Sequence, residues 1–237
     1  WILFLLSVIT CLQVKAQYMP VVFDKVYGDK NQIQLVCPLP GDEVALVGKE
    51  GQKYNLTWVE REGDVVFSLP LTGFTAVNEI VELDNSRVLV VGQSSVPNVK
   101  GKKDKITLCG RIVVINRGGR IVTDIYAGDQ GSNFLKGMLL RSGAFVVSGS
   151  EPKGADGRQG ILLKLDPTGS VVYQYKNAGG GYCDQFAVMG NSIEYICAAF
   201  SAGKDKEQAL VVRLDDKGKP YYMTTIPAKQ FVVTGLN

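Results

Sequence analysis

Few residues of this chain have the type and setting that ligand chemistry requires. Three acids, Asp129, Asp156 and Asp184, could accept hydrogen bonds from a ligand or line a central channel. Tyr182 could stack on a sugar ring if its side chain is exposed, although its place in the chain also favours packing. We therefore predict these four residues as ligand-binding positions.

An enzyme acting on glycans needs two carboxyl groups that flank the bond to be cleaved. Asp184 and Glu194 could form such a pair, but they fall on successive predicted strands, where paired acids are ordinary surface features. The chain has no His, which excludes Ser–His and Cys–His nucleophile pairs and metal sites that need imidazole. We predict no catalytic residue, and a glycan-acting hydrolase or lyase stays as the alternative.

No cofactor, metal or nucleic-acid partner is expected. Residues 179–181 are three glycines without the Lys-Ser/Thr of a phosphate-binding loop, and residues 215–218 lack the spaced acids of a calcium loop. The net charge of +3 is small and both signs are interspersed, which does not indicate nucleic-acid binding. Four lysines between residues 100 and 105 form either a solvated face or a site for an acidic glycan.

The elements that must position these residues are repeated strands. One pattern recurs four times: an apolar strand, an acidic or amide residue, a short spacer, Gly, and a second apolar strand. Its copies are WVEREGDVVF (58–67), VINRGGRIVT (114–123), KLDPTGSVVY (164–173) and RLDDKGKPYY (213–222). An Asp or Asn before a left-handed Gly is typical of a tight hairpin turn. Each copy therefore predicts a hairpin.

The spacing of the copies predicts the architecture. A second hairpin follows each of the first three copies, so a unit holds four short strands in about 50 residues. Repeated four-stranded units of this length are typical of β-propeller blades. We predict an all-β propeller of antiparallel blades, incomplete, with about three full blades plus partial ones at each end. Such an open arc leaves edge strands that could associate with another chain.

The residue four places after each turn glycine is predicted to pack between neighbouring units. These residues are Phe67, Thr123, Tyr173 and Tyr222. Three of the four are large aromatic side chains, and their matching position suggests one shared packing site.

These motifs resemble the β-propeller repeats of exported bacterial proteins, especially those of Bacteroidetes. The likeness rests on Lys164-Leu165-Asp166 with Gly169 and Tyr173, and on its copy around Gly218, and it covers about residues 22–237. The chain departs from the usual repeat in lacking Trp after the turn. The resemblance implies a secreted propeller repeat protein, present here as a partial chain, and it says little about ligand or activity.

The first 16 residues are expected to be a signal peptide whose start is truncated. Residues 1–10 are almost all apolar but too few to span a bilayer, and small residues at 14 and 16 suit cleavage before Gln17. Residues 17–237 would then be the propeller, a fragment of a longer one, without a transmembrane segment and secreted, periplasmic or at the cell surface. The remaining cysteines, Cys37, Cys109, Cys183 and Cys197, allow three disulfide pairings or buried free thiols.

Taken together, the residues favour an exported, non-catalytic propeller module. Its role would be to bind a protein or a carbohydrate, or to act as a scaffold. Polar residues that break the repeat and cluster in one pocket would favour the enzyme instead.

Overall fold

The computed structural model describes residues 32–84, 86–96, 107–153, 157–177, 183–189, 195–201 and 208–227. These residues form sixteen strands in four antiparallel four-stranded sheets, which we call blades 1 to 4. Blade 1 comprises β1 (Gln32–Leu39), β2 (Glu43–Glu50), β3 (Lys53–Val59) and β4 (Val65–Pro70), and blade 2 comprises β5 (Phe74–Asp84), β6 (Arg87–Val96), β7 (Thr107–Asn116) and β8 (Ile121–Ala127). Blade 3 comprises β9 (Asn133–Leu139), β10 (Phe145–Lys153), β11 (Gly157–Leu165) and β12 (Val171–Lys176), and blade 4 comprises β13 (Cys183–Met189), β14 (Tyr195–Ser201), β15 (Gln208–Leu214) and β16 (Pro220–Pro227).

The all-β propeller architecture predicted from the sequence is confirmed. In every blade the strands are joined in chain order, each antiparallel to the next. Blade 1 packs on blade 2, blade 2 on blade 3 and blade 3 on blade 4, and the arrangement is open rather than closed into a ring. The described residues contain no helix that is long and apolar enough to cross a membrane.

The number of full blades differs from the sequence count. The sequence pattern predicts about three full blades when each turn hairpin is grouped with the hairpin that follows it, which leaves partial units at both ends. In the structure each turn hairpin joins the hairpin before it, because β2 pairs with β3 from Val44↔Val59 to Glu50↔Lys53. The strands at residues 32–50 therefore complete blade 1, and the described part of the chain holds four full blades.

The repeated turns form as the Asp/Asn-to-Gly pattern predicts. The turn glycines Gly63, Gly119, Gly169 and Gly218 all have φ between +75° and +92°. In blade 3, Oδ1 of Asp166 accepts hydrogen bonds from the amides of Thr168 (2.8 Å) and Ser170 (2.9 Å). Asn116 and Asp215 hold their turns in the same way. These bonds satisfy the turn backbone locally and fix the register of β7–β8, β11–β12 and β15–β16.

The core lies between blades. One cluster joins blades 1 and 2 around Trp58 and Val90, a second joins blades 2 and 3 around Leu89 and Phe145, and a third joins blades 3 and 4 around Leu162. The fourth strands are sheet edges with exposed apolar residues, among them Val65, Val171 and Tyr221. Association through these edges stays a prediction.

Candidate functional site

The alternation of strand direction sorts the connections onto two ends of the arc. The turns after the first and third strands of each blade lie at one end, here the turn end, which includes residues 60–64, 117–120, 166–170 and 215–219. The β2–β3 turn (51–52) and the inter-blade connections at 71–73 and 128–132 lie at the opposite end, here the loop end. In propellers of this kind, loops at one end commonly carry function.

A buried carboxylate organises the loop end of blade 3. Glu151, on β10, has no exposed surface, and Lys176 on β12 contacts it with Nζ to Oε1 at 2.6 Å. Gln159 donates to the same oxygen at 2.6 Å, and the amide of Asp129 donates to Oε2 at 3.2 Å. The side chain of Asp129 also contacts Lys176, at 3.2 Å, and stays 70% exposed. Because a buried charge needs such partners, the cluster fixes the 128–132 connection against blade 3.

This cluster is a structural ion pair, in which Lys176 and Gln159 both bind the carboxylate of Glu151. The hydrogen bond that Lys176 donates to Glu151 is the main cause of a raised pKa for Lys176, so this ammonium stays charged at neutral pH. A general base must lose its proton near the working pH, whereas the raised pKa of Lys176 makes it hold its proton more firmly. Glu151 cannot touch a ligand because it is fully covered. The exposed groups that the cluster presents are the carboxylate of Asp129 and part of the Lys176 side chain.

A second buried charge organises the loop end of blade 2. Arg111, on β7, is 7% exposed and binds Asp124 through two hydrogen bonds of 2.8 Å. Its Nη1 donates to the carbonyl of Thr72 at 2.6 Å. The guanidinium lies over the rings of Phe74 and Tyr126, at 4.8 and 5.1 Å from their centres. Arg111 therefore ties the connection between blades 1 and 2 to the middle of blade 2.

A cleft of about 440 Å³ opens between the β2–β3 turn and this connection. Tyr54, Leu71 and Phe74 contribute buried apolar surface to it. The other residues that line it are Gln52, Lys53, Asn55, Pro70, Thr72 and Gly73. Its volume falls in the range of small-ligand sites, about 300–1,000 Å³.

The structure places two of the four predicted ligand-binding residues. Asp129 lies in the Glu151–Lys176 cluster at the loop end. Asp184 lies near the loop-end start of β13, at the irregularity between Cys183 and Gln185 in the pairing with β14. Asp156 and Tyr182 lie outside the described residues, as do Glu194 and the lysines at 100–105. Ligand binding by the four residues stays a prediction.

Sequence reasoning missed Glu151, Lys176 and Arg111. Alignment of the repeats on their turn glycines could have found Arg111, which lies eight places before Gly119 where the next repeat has Ile161. Lys176 likewise stands where the preceding repeat has Tyr126. Charged residues at apolar positions of a repeat were the available signal.

Two of the four cysteines that follow residue 16, Cys37 and Cys109, have described thiols, and both thiols are free. Burial is the main cause of a raised pKa at Cys37 and at Cys109, so both are poor thiolates. On the backbone, Cys183 is opposite Phe200 and Cys197 is opposite Ala187. At about 3.3 Å per residue these two positions are too far apart along the strands for a disulfide across the β13–β14 pair.

No family model matches this chain, and no curated protein matches it. Among solved structures it is similar to a protein of unknown function from Bacteroides caccae, with 14% identity over 86% of this chain and 71% of that chain and a TM-score of 0.47. It is also similar to a subtype N10 neuraminidase-like protein of A/little yellow-shouldered bat/Guatemala (9% identity, 85% of this chain, 61% of that chain, TM-score 0.48) and to a neuraminidase-like protein from A/bat/Guatemala (10%, 83%, 55%, 0.49). This chain therefore spans less than two thirds of either neuraminidase-like protein.

Proposed function

We propose that this protein is an exported, non-catalytic propeller module that binds a carbohydrate or protein ligand through its loop end. The observation that carries the proposal is the contrast between the two ends. At the turn end, blades 2, 3 and 4 repeat one device, an Asn or Asp that accepts two turn amides. At the loop end the blades differ in the length and chemistry of their connections.

The loop end departs from the repeat in three places. Blade 1 has a two-residue β2–β3 turn beside the cleft. In blade 2, buried Arg111 binds the inter-blade connection at Thr72, and blade 3 has the cluster of Asp129, Glu151 and Lys176. A purely structural repeat needs none of these differences, because at the turn end one motif serves blades 2, 3 and 4 alike. Specific recognition does need a surface that is not repeated, on a rigid frame.

The alternative enzyme reading has less support from the described residues. There, Asp129 and Glu151 lie in one cluster at the loop end, and Lys176 binds both. On the first strands, which pack on one another, Glu79 binds Nζ of Lys136 at 3.0 Å and the amide of Gly137. Each of these carboxylates already serves in an internal contact, whereas a glycosidase pair must face its substrate.

A paired comparison of the two ends tests the proposal. The protein is screened on arrays of glycans and of extracellular proteins, and the ligand found is titrated against two double variants. The loop-end variant is Lys53→Met with Asp129→Asn, and the turn-end variant is Lys217→Met with Asp216→Asn; all four side chains are exposed. Affinity should fall at least about tenfold for the loop-end variant alone. Equal loss in both variants, or no ligand on either array, would overturn the proposal.

Export is tested separately through residues 1–31. This segment, preceded by Met and two lysines that supply the basic start of a signal peptide, is fused to a periplasmic reporter enzyme in a Gram-negative host. We expect reporter activity outside the cytoplasm and a mature N-terminus at Gln17, read by N-terminal sequencing. Retention of the uncleaved fusion in the cytoplasm would contradict export.

A further inference from the structure

We infer that the cleft between blades 1 and 2 is a binding site for an acidic sugar, held by its carboxylate and its hydroxyl groups. The inference rests on the proposed function and names the ligand class of one part of the loop end.

Four polar side chains of the residues that line the cleft have no partners within the described part of the chain. Gln52, Lys53, Asn55 and Thr72 are among the residues that line the cleft, and none of their side chains makes a hydrogen bond or ion pair with another described residue. Elsewhere at this end, Glu151, Lys176, Arg111 and Asp124 are all paired. Two amides, an ammonium and a hydroxyl beside buried apolar surface match a molecule with many hydroxyl groups.

The charge of the cleft selects an acidic sugar. Lys53 is the one residue of the lining that is charged at neutral pH, and no acid lines the cleft. Glu50, the residue opposite Lys53 in the hairpin, forms no ion pair with it. Lys49 adds a second positive charge nearby, with its ammonium 5.1 Å from the centre of the Tyr54 ring. The lining itself offers one ammonium, that of Lys53, which suits one carboxylate better than the several charges of a nucleotide phosphate chain.

The wall formed by the inter-blade connection is rigid before any ligand binds. The amide of Leu71 donates to the carbonyl of Tyr54 at 2.8 Å, and the amide of Ser95 donates to the carbonyl of Gly73 at 2.9 Å. Nη1 of Arg111 donates a hydrogen bond to the carbonyl of Thr72 at 2.6 Å. The hydroxyl of Thr72 therefore stands on a backbone fixed at three successive residues. A wall that does not reorder loses less entropy when a ligand binds.

The test is a calorimetric titration with matched sugars. The panel holds trisaccharides of galacturonic, glucuronic, mannuronic and guluronic acid, each beside its neutral hexose counterpart. We expect at least one acidic trisaccharide to bind about tenfold tighter than its neutral counterpart at low salt, and the preference to shrink as salt is added. If no acidic member binds better than its counterpart, the inference is wrong.

Single variants locate the binding. Lys53→Met should remove the preference for the acidic sugar. Thr72→Val keeps the shape and backbone of the cleft wall, and it should lower the affinity for both the acidic and the neutral sugar about fivefold. Lys217→Met at the turn end is the control for lost charge, and melting temperatures check that every variant is folded. If Asp129→Asn weakens binding while Lys53→Met and Thr72→Val do not, the cleft is not the site but the loop-end proposal stands. If no loop-end variant affects binding, both fail.

Discussion

Tyr173 of blade 3 lies directly against Gly218, the turn glycine of blade 4. Its ring occupies the space that a Cβ at Gly218 would need. Phe67 covers Gly119 and Thr123 covers Gly169 in the same way, with a Cβ placed 3.0 and 2.5 Å from the covering side chain. The shared packing position predicted from the sequence is thus confirmed at three successive blade interfaces.

The contact predicts a specific cost for a methyl group at Gly218. Gly218→Ala must both strain a backbone with φ +76° and push Tyr173 away, so we expect a loss of about 3 kcal/mol in the free energy of unfolding. Gly41→Ala is the matched control, because its φ is +78° and its Cβ would meet nothing within 4 Å. The control should lose only about 1 kcal/mol in urea denaturation. Equal losses would show that the Tyr173 contact costs nothing.

The same position predicts unequal effects for two tyrosines. Tyr173 is 9% exposed in the cluster between blades 3 and 4, whereas Tyr222, at the matching position of blade 4, is 56% exposed. Tyr173→Ala should therefore destabilise the protein by about 3 kcal/mol, and Tyr222→Ala by less than about 0.5 kcal/mol. Both are measured by chemical denaturation. A cost for Tyr222→Ala close to that for Tyr173→Ala would mean that Tyr222 is covered in solution.

Local patterns were predictable from the sequence, and pairings between distant segments were not. The turn around Gly169 is closed by Asp166, three residues away, so the local amino-acid sequence is enough to predict this turn. The grouping of hairpins depends on the β2–β3 pairing, and a short polar link such as residues 51–52 looks the same whether it joins strands of one blade or of two. The contact of Glu151 with Lys176 spans three strands of blade 3, so it requires the register of the whole blade.

Removal of Lys176 should lower the free energy of unfolding, because it leaves the buried carboxylate of Glu151 uncompensated. Lys176→Met leaves Glu151 without its cation, and we expect a loss of about 3 kcal/mol at pH 7. Adding Glu151→Gln should restore much of this loss, because the uncompensated charge is then gone. Urea denaturation of the two variants and of Lys217→Met, an exposed lysine, measures the effect. If the double variant is no more stable than Lys176→Met, the ion pair is not the source of the loss.

The contact between blades 1 and 2 at the turn end predicts a dependence on acid pH. Glu43 accepts hydrogen bonds from Arg117 Nε at 3.0 Å and from Trp58 Nε1 at 2.7 Å, and its side chain is 14% exposed. The hydrogen bonds from Arg117 are the main cause of a pKa below the ordinary value of 4.5. A carboxyl whose pKa is lowered by folding stabilises the protein above its unfolded pKa, and this contribution is lost as the pH falls through the folded value.

Glu43→Gln should therefore cost stability at neutral pH and little in acid. We expect the wild type to exceed the variant by about 1–2 kcal/mol at pH 7, because Arg117 is half-exposed and its charge is partly screened. The difference should shrink below about pH 4.5, as Glu43 takes up its proton. Glu62→Gln, at an exposed turn position, is the control and should differ by less than about 0.5 kcal/mol at either pH. Denaturation curves at pH 7 and pH 3 measure this difference in the free energy of unfolding. If the wild type exceeds Glu43→Gln by the same amount at both pH values, the charge of Glu43 does not hold the two blades together.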